Sequence, residues 1–409
     1  MEPLMSPQEP PWEIGVGLFE DDIETQKTRV EGVTLEDRRR SPRILLSIPV
    51  RYRVRRQNHS WETASSINLS SYGIRIAVVH PISAGTPIDL WVKLPRICKP
   101  FQLEGTVVWT SPSFHDKTIT ECGIAFEGVQ HLHRKEELIH FIAEHLCSSA
   151  MRLDHKIIHR PVESLDELKA TYQLVYKEYL ARGYCVEHPS QTHYSFFSLL
   201  PQTRTFVLEK DRKFLATAGL VCDSDCGLPM EANFAHEVAK LRHSGRRLAE
   251  VYSLALEWNP RGEKYSLLND TQKVITTLCL LKILLDYARF VAGVTDLVIA
   301  VRPQDSEFYH FLNFEVLGSA RPYTELCGKT VLPMRLDLEQ FVKRISLSSA
   351  IGRYFLRNSV PLELLQKHFH WTAEVIRDLV GVTRLMWTQF PSMRQAYLQH
   401  CYPGLSLFI

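Results

Sequence analysis

Two groups of residues in this chain have types and spacing suited to chemistry. The first is basic. From Arg38 to Arg56 there are eight arginines and no acidic residue. Arg51, Arg53 and Arg55 alternate with Val50, Tyr52 and Val54, the period of a strand with one buried face, and read as solvated. Arg39 and Arg43 stand four apart just before that strand. There, planar guanidinium groups can grip phosphate through paired hydrogen bonds and stack on a nucleobase. Asn68-x-Ser70-x-x-Gly73 follows. Asn68 offers an amide for a base edge or sugar and Ser70 a hydroxyl. Gly73 lets the backbone approach a ligand closely or take a positive φ. The second group surrounds an acid entering an apolar strand. Glu250 leads into Val251-Tyr252-Ser253-Leu254-Ala255-Leu256. Burial there would raise its pKa and suit it to act as a base, the alternative being a salt bridge to Arg246 or Arg247. Glu231 can hold an amine or serve a structural pair. Arg242, Arg246 and Arg247 can meet a substrate carboxylate or another acidic partner, or face solvent.

The elements that position these groups follow from periodicity. Apolar segments at Ile44 to Val54, Gly73 to Val79, Ile88 to Leu94, Phe101 to Thr110 and Cys122 to Phe126 are short and separated by turn residues such as Asn68 to Tyr72 and Gly85-Thr86-Pro87. That pattern predicts a small antiparallel barrel. Leu138, Ile139, Ile142 and Leu146 recur at helical spacing and close the unit near Ser149. From about His159 the regime changes. A helix capped by Ser164, a hairpin around Lys210-Asp211-Arg212, a strand over Glu250 to Trp258, a leucine-rich helix over Val274 to Val291, a strand over Leu297 to Val301 and a short helix over Asp305 to Leu312 alternate as in a mixed α/β domain. The pattern turns helical again after Leu347. The leucine-rich helix reads as core rather than as the wall of an apolar ligand channel.

Composition narrows the classes. The 409 residues exceed one ordinary domain, and 45% hydrophobic with 23% charged residues is globular. A net charge of +2 argues against a general nucleic-acid binder. The nine cysteines form no repeated close pairs, and Cys222 with Cys226 alone is weak for zinc. Residues 1 to about 37 read as a mobile leader without a secretory signal, and reduced thiols in a cytosol are expected. No apolar run reaches the ~18–20 residues of a membrane span. His131, His133, His140 and His145 read as surface histidines, and His368-Phe369-His370 as unspecific. No metal or prosthetic group is expected.

The two basic-site motifs, in order and flanking a barrel, resemble the PilZ domain, whose pattern is Arg-x-x-x-Arg followed by Asp/Asn-x-Ser-x-x-Gly. Cys122-Gly123-Ile124-Ala125-Phe126 is similar to its closing strand. The resemblance implies cyclic di-GMP as ligand, with Arg39 and Arg43 on phosphates and guanine faces and Asn68, Ser70 and Gly73 lining the barrel side. The second region resembles the GNAT acyltransferase fold. There the strand over Glu250 to Leu256 splays from its neighbour and polarises a thioester carbonyl with backbone N–H groups. Ser253 joins Glu250 as a catalytic candidate, and Tyr309 takes the place of a tyrosine that protonates the departing thiolate. The usual Tyr-x-x-x-Gly-Phe is here Tyr309-x-x-x-Asn313-Phe314, and Asn259 to Lys264 does not match the pyrophosphate loop. Tyr176 to Tyr179, Gly227 to Glu231, Arg242 and Arg246-Arg247 look instead like the FeeM-type N-acyl amino acid synthases, relatives of acyl-homoserine-lactone synthases.

The sequence is thus read as four parts. Residues 1–37 form the leader, 38–150 the PilZ-like barrel with its helix, 151–340 the GNAT/FeeM-like domain, and 341–409 a helical extension packed on it. The expected function is a cytoplasmic, cyclic di-GMP-responsive N-acyltransferase. It would use acyl carrier protein or acyl-CoA as donor and an amino acid or similar amine as acceptor. The rival is a non-catalytic cyclic di-GMP effector whose second domain is a platform for a protein partner.

Overall fold

A computed structural model describes residues 41–55, 60–113, 116–128, 134–257, 271–345, 349–357, 359–367, 369–382 and 391–405. Arg39, His131, His133, His368, the leader and the stretch Asn259 to Lys264 lie outside the described residues.

The first expected strand divides in two, β1 (Ile44–Leu45) and β2 (Pro49–Val54). β3 (Glu62–Ser70), β4 (Gly73–Val78), β5 (Pro87–Val92), β6 (Phe101–Pro112) and β7 (Thr120–Phe126) complete the unit. The pairing order β3-β2-β5-β6-β7-β4 is closed by a β3–β4 ladder, so six antiparallel strands form a barrel with no free edge among them, and β1 pairs outside on β3. Alternation fills the interior with Val50, Tyr52, Ile74, Ile76, Ile88, Leu90, Leu103 and Val107. Two of the outward arginines are not merely solvated. Arg53 pairs with Asp89, and Arg55 reaches Asp89, Glu104 and Glu127 on the neighbouring strands.

Helix α1 (Lys135–Asp154) follows the barrel and buries Leu138, Ile142, Leu146 and Ala150. Ile139, expected on the same face, is 36% exposed. The α/β domain begins with β8 (Ile158–Pro161) and α2 (Leu165–Arg182), whose Ser164 side chain accepts from the Glu167 N–H as an N-cap should. β9 (Thr203–Lys210) and β10 (Lys213–Cys222) form the expected hairpin. Asp211 and Arg212 both take positive φ there, matching the right-handed twist of the strands. Next come α3 (Glu231–His243), β11 (Leu248–Leu256), α4 (Thr271–Phe290) and β12 (Asp296–Val301). They are followed by α5 (Ser306–Phe311), β13 (Glu315–Val316), β14 (Arg321–Tyr323) and β15 (Lys329–Asp337).

The sheet order is β13-β15-β12-β11-β10-β9-β8, with β14 beside β15. Among the described strands only β11 and β12 run parallel, as the crossover through α4 requires. α4 is buried around nearly its whole circumference, between the sheet and α1. A helix that is apolar all round belongs in such an interior, and each buried leucine there contributes about 1.5–3 kcal/mol. Its leucines are therefore core, in agreement with the simpler of the two sequence readings.

The last described helices are α6 (Leu338–Arg344), α7 (Ala350–Arg357), α8 (Leu362–Gln366), α9 (Ala373–Val382) and α10 (Ser392–Cys401). α7 lies on α1, where Arg353 pairs with Glu144 and the Tyr354 hydroxyl donates to Asp154. Further on, Tyr402 donates to the Leu199 carbonyl at 2.8 Å and Arg394 lies over the rings of Phe196 and Phe197. The extension packs on the preceding domain. Among the described residues no helix is long and apolar enough to cross a membrane, and no cluster of three or more potential metal ligands forms.

Candidate functional site

β11 and β12 pair only from Leu248 to Glu250, opposite Asp296 to Val298. Beyond Glu250 the two strands separate. At the same place the β10–β11 register slips between Thr217 and Gly219, which leaves Ser253 and Leu254 in a bulge. Ser253 holds the left-handed conformation, φ 50°, a strained position for a residue with a Cβ. Into the gap opens a cavity of about 110 Å³. It brings together three residues singled out in the sequence: Glu250, Ser253 and Tyr309.

Glu250 is 2% exposed and accepts a hydrogen bond from the Met230 N–H at 2.8 Å. Burial pushes its carboxyl well above the usual carboxylate range, and nearby Glu325 and Glu231 add to the shift. The salt bridge that was its alternative does not form. Arg246 is held by Asp296, which is fully buried, and by Asp337 at 2.9 Å. Arg335 also pairs with Asp296, at 2.5 Å, so this network ties together the ends of β11, β12 and β15. Arg247 donates to the Gly293 carbonyl.

The other proposed substrate-binding residues lie outside the cavity. Arg242 makes a bidentate pair with Asp223 and also binds Glu231 at 2.6 Å. Glu231 additionally accepts from the Leu228 N–H, closing the first turn of α3. The two residues thus occupy each other.

What sequence reasoning missed is the remainder of the cavity wall. α2 contributes Glu178, paired with Arg182, and the segment after β12 contributes Arg302, paired with Asp305 at 2.8 Å. Past β14, Glu325 accepts from the Tyr252 hydroxyl at 3.0 Å, and burial raises its pKa. His193 is pushed down to about 4 by burial, so its imidazole is neutral at pH 7. The Ser253 hydroxyl and the Tyr184 and Tyr323 phenols are buried with no hydrogen-bond partner among the described residues. Three orphaned hydroxyls in one cavity are costly unless a bound molecule meets them. The Tyr309 phenol, 4% exposed and set edge-on to Phe308 and Phe314, is kept protonated by burial.

Asn313 in place of glycine has a conformational explanation. It sits at φ 66°, and asparagine is among the few residues that visit this region readily. The substitution keeps the turn that carries Phe314 behind Tyr309.

In the barrel, Arg43 Nη1 donates to Asn68 Oδ1 at 3.0 Å, which joins the two halves of the basic-site motif. Ser70 Oγ donates to the Gly73 carbonyl at 3.2 Å and accepts from the Tyr72 N–H, bracing the β3–β4 turn. Gly73 has a packing requirement of its own within the barrel. A Cβ there would stand 2.5 Å from the Ile124 carbonyl oxygen, so the backbone approaches β7 closely, and of the two conformational reasons expected the positive φ is not observed.

Comparison with known families gives two matches, the PilZ domain over residues 37–144 and the N-acyl amino acid synthase FeeM over residues 170–337. Among solved structures, FeeM, an N-acyl amino acid synthase from uncultured soil microbes, is 24% identical. It covers 47% of this chain and 97% of its own, with a TM-score of 0.39. The acyl-homoserine-lactone (AHL) synthase LasI is 12% identical, covering 50% of this chain and 96% of its own at a TM-score of 0.35. The PilZ domain of YcgR from Escherichia coli, solved with c-di-GMP, is 16% identical, covering 29% and 98% at a TM-score of 0.24. No curated protein sequence matches the chain. A closed six-stranded barrel followed by a mixed sheet that splays at Glu250 therefore belongs to a chain that joins a PilZ domain to an acyltransferase domain of the FeeM N-acyl amino acid synthase kind.

Proposed function

We propose that the chain is an N-acyltransferase controlled by cyclic di-GMP. It moves a long acyl group from acyl carrier protein, or from acyl-CoA, to the amine of an amino acid or a similar small molecule. The observation that carries this reading is the cavity itself. A buried carboxyl with a raised pKa, a bulged strand with an edge unpaired toward β12, and a protonated tyrosine all face one space.

Each part has a task. The substrate enters as an ammonium ion, and its charge lets Glu250 ionise in an otherwise unfavourable setting. The ammonium gives one proton to the Glu250 carboxylate. The neutral amine then attacks the thioester carbonyl carbon, forming C–N as C–S breaks. Backbone N–H groups of residues 251–254 polarise the carbonyl oxygen. The Tyr309 hydroxyl protonates the leaving thiolate, and the nitrogen's second proton restores the tyrosine. Amide and thiol are the products, and one proton leaves through Glu250. Arg182 and Arg302, each paired with an acid, are the arginines that line the cavity and so stand nearest a substrate carboxylate, whereas Arg242, Arg246 and Arg247 lie outside it. In the barrel, Arg39 and Arg43 grip the nucleotide, with Asn68 and Ser70 beside them.

Incubating the protein with long-chain acyl carrier protein and mixed amino acids, with and without cyclic di-GMP, tests the proposal by mass spectrometry. An N-acyl product whose rate changes with the nucleotide is expected. Absence of product in both conditions, with the nucleotide still bound, would favour a non-catalytic effector.

A further inference from the structure

A second cavity, of about 140 Å³, lies where the barrel meets the α/β domain. Ser41 and Tyr72 line it from the barrel side, Lys135 and Ile139 from α1, and Glu307 and Phe311 from α5. Ser41 is 9% exposed and its hydroxyl meets no hydrogen-bond partner among the described residues, which makes this a polar lining group suited to a ligand. Lys135 Nζ stands 5.7 Å from the centre of the Tyr72 ring. The exposure of Ile139 on an otherwise buried helix face follows from this opening. The chain just beyond Ser41 is tied to both partners: Arg43 donates to Asn68 on β3, and its carbonyl accepts from Thr271, the first residue of α4, at 2.9 Å.

The chemistry of the lining is that of a purine pocket. A cavity near 150 Å³ holds one aromatic ring system, not a dinucleotide. Tyr72 and Phe311 offer ring faces for stacking. A carboxylate accepts from two adjacent donors, which guanine presents at N1–H and its 2-amino group and adenine does not. A lysine ammonium suits the O6/N7 edge of guanine.

We propose that this cavity receives one guanine base of the nucleotide, with Glu307 on its Watson–Crick edge and Lys135 on its O6/N7 edge. The catalytic domain then supplies part of the nucleotide site. The inference rests on the reading of the barrel as a cyclic di-GMP receptor. Its consequence follows from α5. Successive helical residues are 100° apart, so Glu307 and Phe311 share one face while Tyr309 lies 200° from Glu307, on the opposite one. One helix of six residues is therefore the wall between the guanine cavity and the catalytic cavity. A base seated against α5 changes the affinity for an acyl donor seated on Tyr309, and the donor changes nucleotide affinity by the same factor.

Calorimetry on the full chain tests this with two probes, cyclic di-GMP and its inosine analogue, which lacks only the 2-amino groups. The wild type should bind cyclic di-GMP about tenfold to a hundredfold more tightly than the analogue. Glu307→Gln, which puts an amide donor against guanine's donors, should weaken cyclic di-GMP binding by a similar factor and remove the discrimination. The analogue needs no variant, so the wild-type comparison stands even where Glu307→Gln is unstable. A Glu307→Gln protein that binds and discriminates like the wild type overturns this inference. If Arg43→Ala abolishes binding in that case, the reading of the barrel survives. Failure of the wild type to bind either probe overturns both.

Discussion

Replacing Glu250 by glutamine is the perturbation that most exposes the chemistry of the catalytic cavity. The change is nearly isosteric, and the amide oxygen can still accept from the Met230 N–H, which sits 2.8 Å from the native carboxylate. What disappears is the proton acceptor. A positioned general base contributes about 10²–10⁴ in rate, equivalent to roughly 3–5 kcal/mol of barrier, so kcat/KM should fall by about that factor. The pH profile carries the sharper signature. Burial raises the Glu250 pKa, with the Glu325 and Glu231 charges adding to it and only the Met230 hydrogen bond opposing. The ionised, catalytic form therefore appears only as pH rises through a value above the usual carboxylate range. In the wild type log kcat/KM should climb with unit slope below that value, tenfold per pH unit. In Glu250→Gln that limb should be flat, leaving only the limb of the substrate's own amine at higher pH. Stability moves the other way. A raised carboxyl pKa stabilises the fold below the unfolded-state pKa, and that stabilisation is lost as pH rises through the folded value, so the glutamine variant should unfold no more easily than the wild type at pH 8. Initial rates of acyl transfer from pH 5 to 9, with a thermal melt at each pH, provide the measurement. A variant that retains both the wild-type rate and the wild-type acidic limb would refute Glu250 as the base.

Three further outcomes are expected. Arg43→Ala should weaken cyclic di-GMP binding by about tenfold to a hundredfold in calorimetry, the worth of one charge-assisted hydrogen bond, and unchanged affinity would remove Arg43 from the site. Gly73→Ala places a Cβ 2.5 Å from a β7 carbonyl oxygen and should cost the barrel about 1–3 kcal/mol in chemical denaturation, while an unshifted midpoint would mean that β4 and β7 separate freely. Asp286 on α4 accepts from the Val360 N–H, its other oxygen has no partner among the described residues, and burial pushes it up to about 6. Its protonated form is favoured by the fold, and the ordinary value of 3.8 against about 6 corresponds to about 3 kcal/mol lost as pH rises from about 4 through 6. Asp286→Asn should therefore gain stability over the wild type up to pH 7 and level off above, and a difference that does not vary with pH would show that Asp286 does not titrate there.

The barrel was legible because its strands alternate with period two and its motif residues are local. β3 escaped notice over Glu62 to Ile67 because its residues are mostly polar: Ser66, which points inward, is satisfied there by the Ile48 N–H and the Leu46 carbonyl, a tertiary arrangement that no pattern of hydrophobicity reveals. Glu250, Ser253 and Tyr309 were reachable from a strand and a short helix of recognisable order. Glu178, Arg182, Arg302 and Glu325 were not, since they come from α2 and from loops after β12 and β14 that meet only on folding. One signal was available: Glu178 lies at helical spacing from Val175 on the buried face of α2, where an acid needs a reason to be. The arginines misled for the same cause. Arg246 looked free for a substrate because Asp296 stands 50 residues away in the chain.

The central claim is that acyl transfer takes place where β11 parts from β12. A crystal structure of the protein with a non-hydrolysable acyl-phosphopantetheine analogue tests it most directly. The account predicts the carbonyl oxygen against the backbone of residues 251–254, the position of the sulfur within hydrogen-bond reach of the Tyr309 hydroxyl, and Glu250 open to an incoming amine. An analogue bound elsewhere, with this cavity left empty, would contradict it.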